Sequence, residues 1–430
     1  PDARVNCERW GALAAISDLR KGFRPKFPPD ILVDALFGTG LTRRPQDDLC
    51  ETLKELNDCA ELFASGRRNA GSMRFIPVVA VDVPSGLWSD SGRSLGPEPL
   101  HGKSVARANL TVSFHRPKLG LLLGDGPQLC GNLRVADIGL TSDVGVAWSD
   151  EGSAQRLSKI TDHKYTHGHA LILSGGPGKG GAARLAARGA LRIGAGLVTV
   201  GCPPEALAEN AARLDAVMLM PVVDEVALAA VLKDERINAL CLGPGMGISD
   251  EGRNLLVTAL KSGRAVVLDA DALTLIAREP ALFALLHAGC VLTPHGGEFA
   301  RLFPDIAKKL AAPITKGPAY SKVDATCEAA SRAGCVVLYK GPDTVIADPQ
   351  GRCSINSAHK KRAAPWLATA GSGDVLAGFI TGLMARGFAP MEAAETSAWL
   401  HVECARAFGP GLIAEDLPEQ LPSVFRALGL

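Results

Sequence analysis

The segment Ala368-Thr369-Ala370-Gly371-Ser372-Gly373-Asp374-Val375-Leu376-Ala377-Gly378 sets small residues immediately before an apolar helical run. Successive backbone N–H groups at a helix start make a cradle for negative charge, and glycine lets a phosphate approach the backbone closely. Asp374 falls in the first turn, beside that cradle. A carboxylate there can cap the helix. It can also take a proton from a hydroxyl that attacks a phosphoryl group. The string as a whole, with Gly371 and Gly373 on either side of Ser372, favours the second role.

Two other segments carry candidate chemistry. Lys340-Gly341-Pro342-Asp343-Thr344 follows the apolar run Cys335–Tyr339, so Lys340 stands at a strand end, where a lysine meets either a phosphate or solvent. His295 precedes Gly296-Gly297-Glu298 at a helix start, a place where histidine is more often structural than chemical. Three further patterns lead nowhere. Gly178-Lys179 resembles part of a P-loop, but that motif needs glycine at position 173 and serine or threonine at 180, where this chain has Leu173 and Gly180. His163, His167 and His169 have no second ligand group at metal spacing and read as a linker cluster. His401 and Cys404 lie on the helical stretch Glu392–Phe408 and read as core.

The elements that must position these residues alternate. Ile31–Phe37 is a short apolar run that ends in Gly38-Thr39-Gly40, and Phe75–Val83 is a buried-strand candidate stopped by Pro84-Ser85-Gly86. Asp47–Ala64 has helical spacing, with Leu49, Leu53, Leu56, Ala60 and Phe63 on one face. Leu110–Phe114 and Leu133–Ile138 read as later strands. Between Thr141 and Thr161 the pattern fades into Ser, Asp, Gly and Glu, and a domain boundary is expected there, giving domains 1–150 and 151–430. Beyond it, Ala170–Ser174, Leu197–Gly201, Ala239–Leu242, Ala265–Leu268, Cys290–Leu292 and Cys335–Tyr339 read as strands, and a helix carries Arg184, Arg188 and Arg192 on one side. Buried strands separated by helices predict a parallel α/β sheet, whose ligands bind beyond the carboxyl ends of its strands.

Composition bounds the function. The chain has 430 residues, too many for one ordinary core; three units or two larger α/β domains both suit that length. An apolar share of 47% excludes disorder, and the 47 glycines follow no triplet period, which excludes collagen. The net charge of +1 implies no broad basic face and so no nucleic-acid partner. No apolar run reaches membrane-spanning length, and no signal peptide opens the chain. The 11 cysteines include no C-x-x-C pair, which argues for a reducing, cytoplasmic setting rather than a disulfide framework. Residue 1 is Pro1 rather than methionine, so an N-terminal portion is expected to precede it.

The glycine-rich string at Ala368–Leu376 resembles the anion hole and catalytic aspartate of ribokinase-like small-molecule kinases. From about Lys164 to Leu430 the chain is similar, more narrowly, to the ADP/ATP-dependent NAD(P)H-hydrate dehydratase family, through Gly181–Val200, Gly243–Gly247, Leu268–Leu273, Leu292–Leu302 and Lys340–Ala347. The resemblance implies a ribokinase-like α/β domain in which Asp374 is catalytic. It implies that Lys340, Gly341, Pro342, Asp343, Thr344, Gly371, Ser372 and Gly373 contact ADP or ATP. It implies that Gly180, Gly181, Ala182, Gly247, His295 and Asp374 contact the hydrated dinucleotide, NADH or NADPH hydrate. Mg²⁺ is expected on the phosphates, ADP is the favoured donor, and family members commonly form homo-oligomers. The chain departs from the family at Ser357–Pro365, which is longer and basic (SAHKKRAAP) and is expected to be a solvated loop.

In the first part, Val33–Leu41 (VDALFGTGL), Val81–Leu87 (VDVPSGL), Thr111–Gly124 and Cys130–Ile138 resemble the NAD(P)H-hydrate epimerase domain, here a partial Rossmann-like parallel sheet. The resemblance implies K⁺ at Asp34 and Ser85. It implies dinucleotide contacts from the turn Gly38, Thr39, Gly40, Leu41, Thr42, Arg43 and Arg44, and from Asp82. The family's Asn-Asn-Gly-Gly-Asp-Gly phosphate loop is absent, so the epimerase half is expected to be incomplete. The whole reads as a bifunctional enzyme of nicotinamide-nucleotide repair. A ribokinase-like kinase of a small alcohol or vitamin precursor, and a non-catalytic nucleotide-binding protein, are the alternatives.

Overall fold

The computed structural model describes residues 5, 8, 9, 11, 29–43, 47–64, 76–94, 105–141, 147–148, 154–159, 163–314 and 317–430. The chain divides into two compact units. One comprises residues 1–142 with 313–320, and the other 143–312 with 321–430. The contiguous split expected from the sequence places 313–320 in the second domain, whereas here Ala319 joins Trp88 in a buried cluster of the first unit.

The first unit is a four-stranded parallel sheet in the order β1 (Leu32–Asp34), β2 (Val78–Val81), β3 (Leu110–Phe114), β4 (Asn132–Ala136). Helix α1 (Asp47–Ala64) buries Leu53 and Leu56 against Leu32, Ile76 and Val78. The apolar run Ile31–Phe37 yields only three strand residues, with Val33 59% exposed, because β1 is an edge of the sheet among the described residues. Phe75, the first residue of the second expected strand, lies outside the described residues.

The second unit carries a ten-stranded sheet, taken here from one edge to the other. It begins with β5 (Ala147–Trp148), β14 (Cys353–Ser357), β13 (Asp343–Ala347), β12 (Val336–Tyr339) and β11 (Cys290–Leu292). It continues with β10 (Ala265–Leu268), β9 (Ile237–Leu242), β6 (His169–Leu173), β7 (Leu197–Cys202) and β8 (Met218–Pro221). All neighbours run parallel except β13, which is antiparallel to both β12 and β14. Every residue of β6, β11 and β14 is buried, as a sheet covered on both faces requires.

Helix α6 (Ser372–Ala385) is buried from Val375 to Ala385, apolar all round, and packs on α2 (Gly181–Arg192). The crossing is close because small residues meet there. A Cβ on Gly378 would lie 2.1 Å from the Ala186 carbonyl oxygen. The three arginines of α2 find partners on their own side: Arg184 pairs with Glu209, and Arg188 and Arg192 share Glu419. Helix α7 (Pro390–Phe408) buries His401 and Cys404, as expected of core residues. Among the described residues no helix is long and apolar enough to cross a membrane.

Because the Gly378 contact is backbone against backbone, no rotamer change can relieve an added methyl. Gly378→Ala should therefore destabilise the second unit by about 2–3 kcal/mol, read as a lowered midpoint in urea unfolding. A midpoint equal to wild type would show that the helices can separate at no cost.

Candidate active site

The carboxyl ends of β9, β10, β11 and β12 converge with the start of α6. Gly371, in the left-handed region at φ 87°, ends the approach and opens the helix. No side chain caps α6. The Ser372 hydroxyl turns away, its one proton shared between the carbonyls of Leu367 at 2.9 Å and Thr369 at 3.0 Å. The first-turn amides thus keep the positive end of the helix open to an anion. By contrast, α4 (Gly296–Leu302) is closed: the Gly297 N–H donates to His295 Nδ1 at 3.0 Å, and the His295 N–H donates to Glu298 Oε2 at 2.8 Å.

Two cavities meet at this point. One, of about 520 Å³, carries the charged groups, with Asp269, His295, Glu298, Lys340, Gly371 and Asp374 in its wall. The other, of about 530 Å³, is mostly apolar, with Pro342, Ala364, Pro365, Leu367, Leu376 and Val402 in its wall. Lys340, Gly341, Ser372 and Gly373 line both. The Lys340 ammonium stands 2.7 Å from Asp269 Oδ1 and 3.8 Å from Glu298 Oε2. Burial, with the negative charge of Asp269 next in weight, pushes the Asp374 carboxyl up to about 6, against a smaller opposing pull from Lys340. Asp374 is then mostly ionised at neutral pH and still basic enough to accept a proton, the property a general base needs.

Several residues with no expected role belong to this site. Asp269 follows β10 directly and holds Lys340; a carboxylate just past an apolar, mostly buried strand was the available signal. Asp271 Oδ2 accepts from the Gly247 N–H at 2.8 Å and so fixes the glycine turn. His401 sits in the wall of the apolar cavity and donates Nε2–H to the Ser372 carbonyl at 2.9 Å; burial depresses it to about 4, so it is neutral there.

The other expected residues fall as follows. Thr344 lines the apolar cavity, its hydroxyl donating to the Gly341 carbonyl at 2.7 Å. Asp343 lines neither cavity and pairs with Lys322 at 2.8 Å. Gly180, Gly181, Ala182 and Gly247 also line neither; they belong to adjoining turns at the same edge of the sheet. The expectation of a solvated loop at Ser357–Pro365 holds for Lys360 and Lys361, which are exposed, but Ala358, His359, Ala363, Ala364 and Pro365 form one wall of the apolar cavity. Arg362 is held inside by Glu403 at 2.9 Å and by the Asn356 side-chain oxygen at 2.8 Å.

In the first unit, Asp34 and Ser85 meet at the ends of β1 and β2. The Ser85 hydroxyl donates to Asp34 Oδ1 at 2.6 Å and its N–H to Oδ2 at 2.8 Å. Burial raises the Asp34 carboxyl above its ordinary value. Asp82, at φ 70°, pairs with Lys118 at 2.7 Å. Gly38 approaches the Asp82 carboxylate, Leu41 packs on the Trp88 cluster, and Thr39, Gly40, Thr42 and Arg43 are exposed beside it. Arg44 lies outside the described residues.

Comparison with known proteins assigns both halves. Residues 170–422 match the family model described as NAD(P)H-hydrate dehydratase, and residues 7–120 match that described as YjeF-related protein N-terminus. The chain belongs to the bifunctional NAD(P)H-hydrate repair enzymes. It is 33% identical to the enzyme of that name from Moorella thermoacetica over 460 residues, which cover 99% of this chain and 80% of the relative. It is 34% identical to the Salinibacter ruber enzyme over 441 residues, 96% of this chain and 73% of the relative. The second unit resembles the crystal structure of the ADP/ATP-dependent NAD(P)H-hydrate dehydratase from Bacillus subtilis co-crystallized with ATP/Mg²⁺. The TM-score is 0.54 at 26% identity, over 66% of this chain and 99% of that one. The activity of this repair enzyme is therefore NAD(P)H-hydrate repair, with a dehydratase domain in the second unit and an epimerase domain in the first.

The raised carboxyl has a consequence for the stability of the repair enzyme. The folded-state value of Asp374 lies above its unfolded one, so the ionised form opposes folding at neutral pH, and the penalty fades as pH falls through about 6. Asp374→Asn should stabilise the protein by roughly 1–3 kcal/mol near pH 8, with the gain vanishing on acidification toward about pH 4. An equal gain at all pH values in chemical denaturation would refute the buried-charge account.

Proposed function

We propose that the second unit dehydrates the S form of NADH or NADPH hydrate with ADP as the favoured phosphoryl donor. The observation that carries this reading is the meeting of an apolar cavity and an acidic one at a lysine and an uncapped helix start. The apolar cavity suits the nucleotide base. Lys340, Gly341, Pro342 and Thr344 contact the nucleotide, and Gly371, Ser372 and Gly373 cradle its terminal phosphate. The ring hydroxyl of the hydrate enters the acidic cavity beside His295 and Asp374. Gly180–Ala182 and Gly247 take the more distant part of the dinucleotide. Asp343 supports the turn from behind rather than touching the ligand.

The steps balance. Asp374 accepts the hydroxyl proton as the oxygen forms a bond to the terminal phosphorus of ADP and AMP departs. The α6 amides oppose the charge that develops on the phosphoryl oxygens. The ring C–O bond then breaks with loss of a proton from the neighbouring carbon, which releases phosphate and restores the double bond of NAD(P)H. Among the described residues there is no group of three acidic, histidine or cysteine ligands for a metal. This suits Mg²⁺ carried in on nucleotide phosphates, which keeps several waters and needs one or two carboxylates; Glu298 is the candidate. Bound there, the ion would neutralise phosphate charge.

In the first unit we assign K⁺ to Asp34 and Ser85. The Ser85 hydroxyl lies 3.5 Å from the Phe37 carbonyl as well as against Asp34, so hard oxygen donors converge on a buried carboxylate that has no countercharge among the described residues. The turn Gly38–Arg43 and Asp82 contact the dinucleotide, and the intact domain interconverts R and S hydrates. We place the enzyme in the cytoplasm as a homo-oligomer acting on small molecules, with neither nucleic acid nor membrane as partner. The net charge of +1 argues against a nucleic-acid partner, and 11 cysteines without a C-x-x-C pair suit a reducing compartment.

Incubation of purified S-NADH hydrate with ADP, with ATP and with neither, followed by near-ultraviolet absorbance, tests the reading. Recovery of NADH should require nucleotide and run faster with ADP. The rate should drop as pH falls below about 6, where Asp374 takes up a proton. Asp374→Ala should lower kcat by roughly 10²–10⁴ while nucleotide binding survives. Full turnover in that variant would remove Asp374 as the base, and release of a stable phosphate ester would point to a small-alcohol kinase instead. For the first unit, Asp34→Ala should abolish any K⁺ dependence of R-hydrate recovery; an unchanged dependence would place K⁺ elsewhere.

A further inference from the structure

Lys322 opens helix α5 (Lys322–Ala333) and lines neither cavity. Its Nζ lies 2.8 Å from Asp343 Oδ1, 2.9 Å from the Asp343 carbonyl and 3.3 Å from the Lys340 carbonyl. All three acceptors belong to one turn, so the donors of the ammonium are committed to it. The ammonium also rests over the Tyr339 ring, 4.4 Å from its centroid. Tyr339 in turn stacks on Phe299 of α4 at 4.2 Å and 7°. Space for this arrangement exists because residue 341 is glycine: a Cβ there would lie 2.7 Å from Nζ.

A lysine head buried this deeply pays for its desolvation, and its ammonium is drawn below the usual lysine range, with Asp343 pulling the other way. The same turn is held from its other side by the Lys340 N–H, which donates to the Pro294 carbonyl at 2.8 Å. Lys340 therefore springs from a backbone clamped on both flanks. The clamp on the α5 side is a single side chain.

We infer that Lys322 is a positioning residue for the phosphoryl transfer: it fixes the Lys340–Thr344 turn so that the Lys340 ammonium stands where the two cavities meet. This rests on the nucleotide reading above. It also explains why Asp343, within a segment expected to bind nucleotide, lines neither cavity.

The test is a double-mutant cycle between Lys322→Met and Lys340→Met in the full chain, with nucleotide-dependent NADH recovery as readout and thermal melting alongside. Lys322→Met alone should raise the nucleotide KM and lower kcat, together by about 10- to 100-fold in kcat/KM, with the hydrate KM within about twofold. In the Lys340→Met background, where there is no ammonium left to position, the same change should lower kcat/KM by less than about threefold. Equal losses in both backgrounds would mean that Lys322 serves only the fold, and wild-type kinetics in Lys322→Met would mean that it serves neither; each overturns the inference. If Lys322→Met does not fold, Lys322→Gln, which keeps an uncharged amide donor on a shorter stem, takes its place under the same criterion. Absence of recovery in wild-type protein would remove the nucleotide reading and this inference together, whereas recovery in wild type with additive losses removes this inference alone.

Discussion

Burying Asp374 in the first turn of α6 sets two demands against each other. In its proposed role as base the carboxylate must shed water, and the fold must tolerate a partly desolvated negative charge beside Asp269, Asp271 and Glu298. The positive end of α6 and the Lys340 ammonium are the compensating charges. Both can be supplied only if α6 begins at the edge of the sheet with its amides open, and that requires a helix whose body needs no polar face. Helix α6 meets this condition by being buried from Val375 to Ala385. Its seating on α2 through glycine and alanine fixes where that first turn stands. The site chemistry thus reaches back to a helix crossing made of the smallest side chains.

Most of the sheet was legible because its strands are short, continuous and apolar. Leu110–Phe114, Ala265–Leu268 and Cys290–Leu292 begin and end where the sequence pattern places them. Helix Asp47–Ala64 is likewise as the spacing predicts. The strands that escaped notice have physical reasons for doing so. Met218–Pro221 is an edge strand of mixed burial that ends in proline. Cys353–Ser357 is wholly buried although Ser354, Asn356 and Ser357 are polar; Asn356 donates to the Ala398 carbonyl and so satisfies itself inside. Periodicity reports apolar faces, and it cannot report a polar residue whose partner lies 42 positions away.

The same limit governs the site. Asp374, Lys340 and the glycines could be found because they cluster in short segments whose residue types are unusual together. Asp269 and Lys340 lie 71 positions apart, and nothing local to either announces the pair. Asp34 and Ser85, 51 positions apart, were joined only by resemblance, yet they hydrogen-bond twice. A pair of this kind is a product of parallel topology. Successive strand ends fall side by side, so residues just past them meet however long the intervening helix is.

The basic stretch at Ser357–Pro365 shows how composition alone can mislead. Its lysines do reach solvent, and the pattern suggests the same of its arginine. Instead, Arg362 is answered by Glu403 and by Asn356 and lies over Trp399, so its charge is spent within the unit. Burial also lowers His359 and favours its neutral form, since this outweighs the pull of Asp343. What these residues present to the cavity is accordingly a wall of Ala358, Ala363, Ala364 and Pro365 rather than a field of charge. An apolar wall of that kind accepts a flat, uncharged ring and cannot hold a phosphate. Positive charge stands instead at Lys340 and the α6 amides, which also line this cavity. On the proposed function, a bound nucleotide would set its base against the loop and its terminal phosphate toward Asp374.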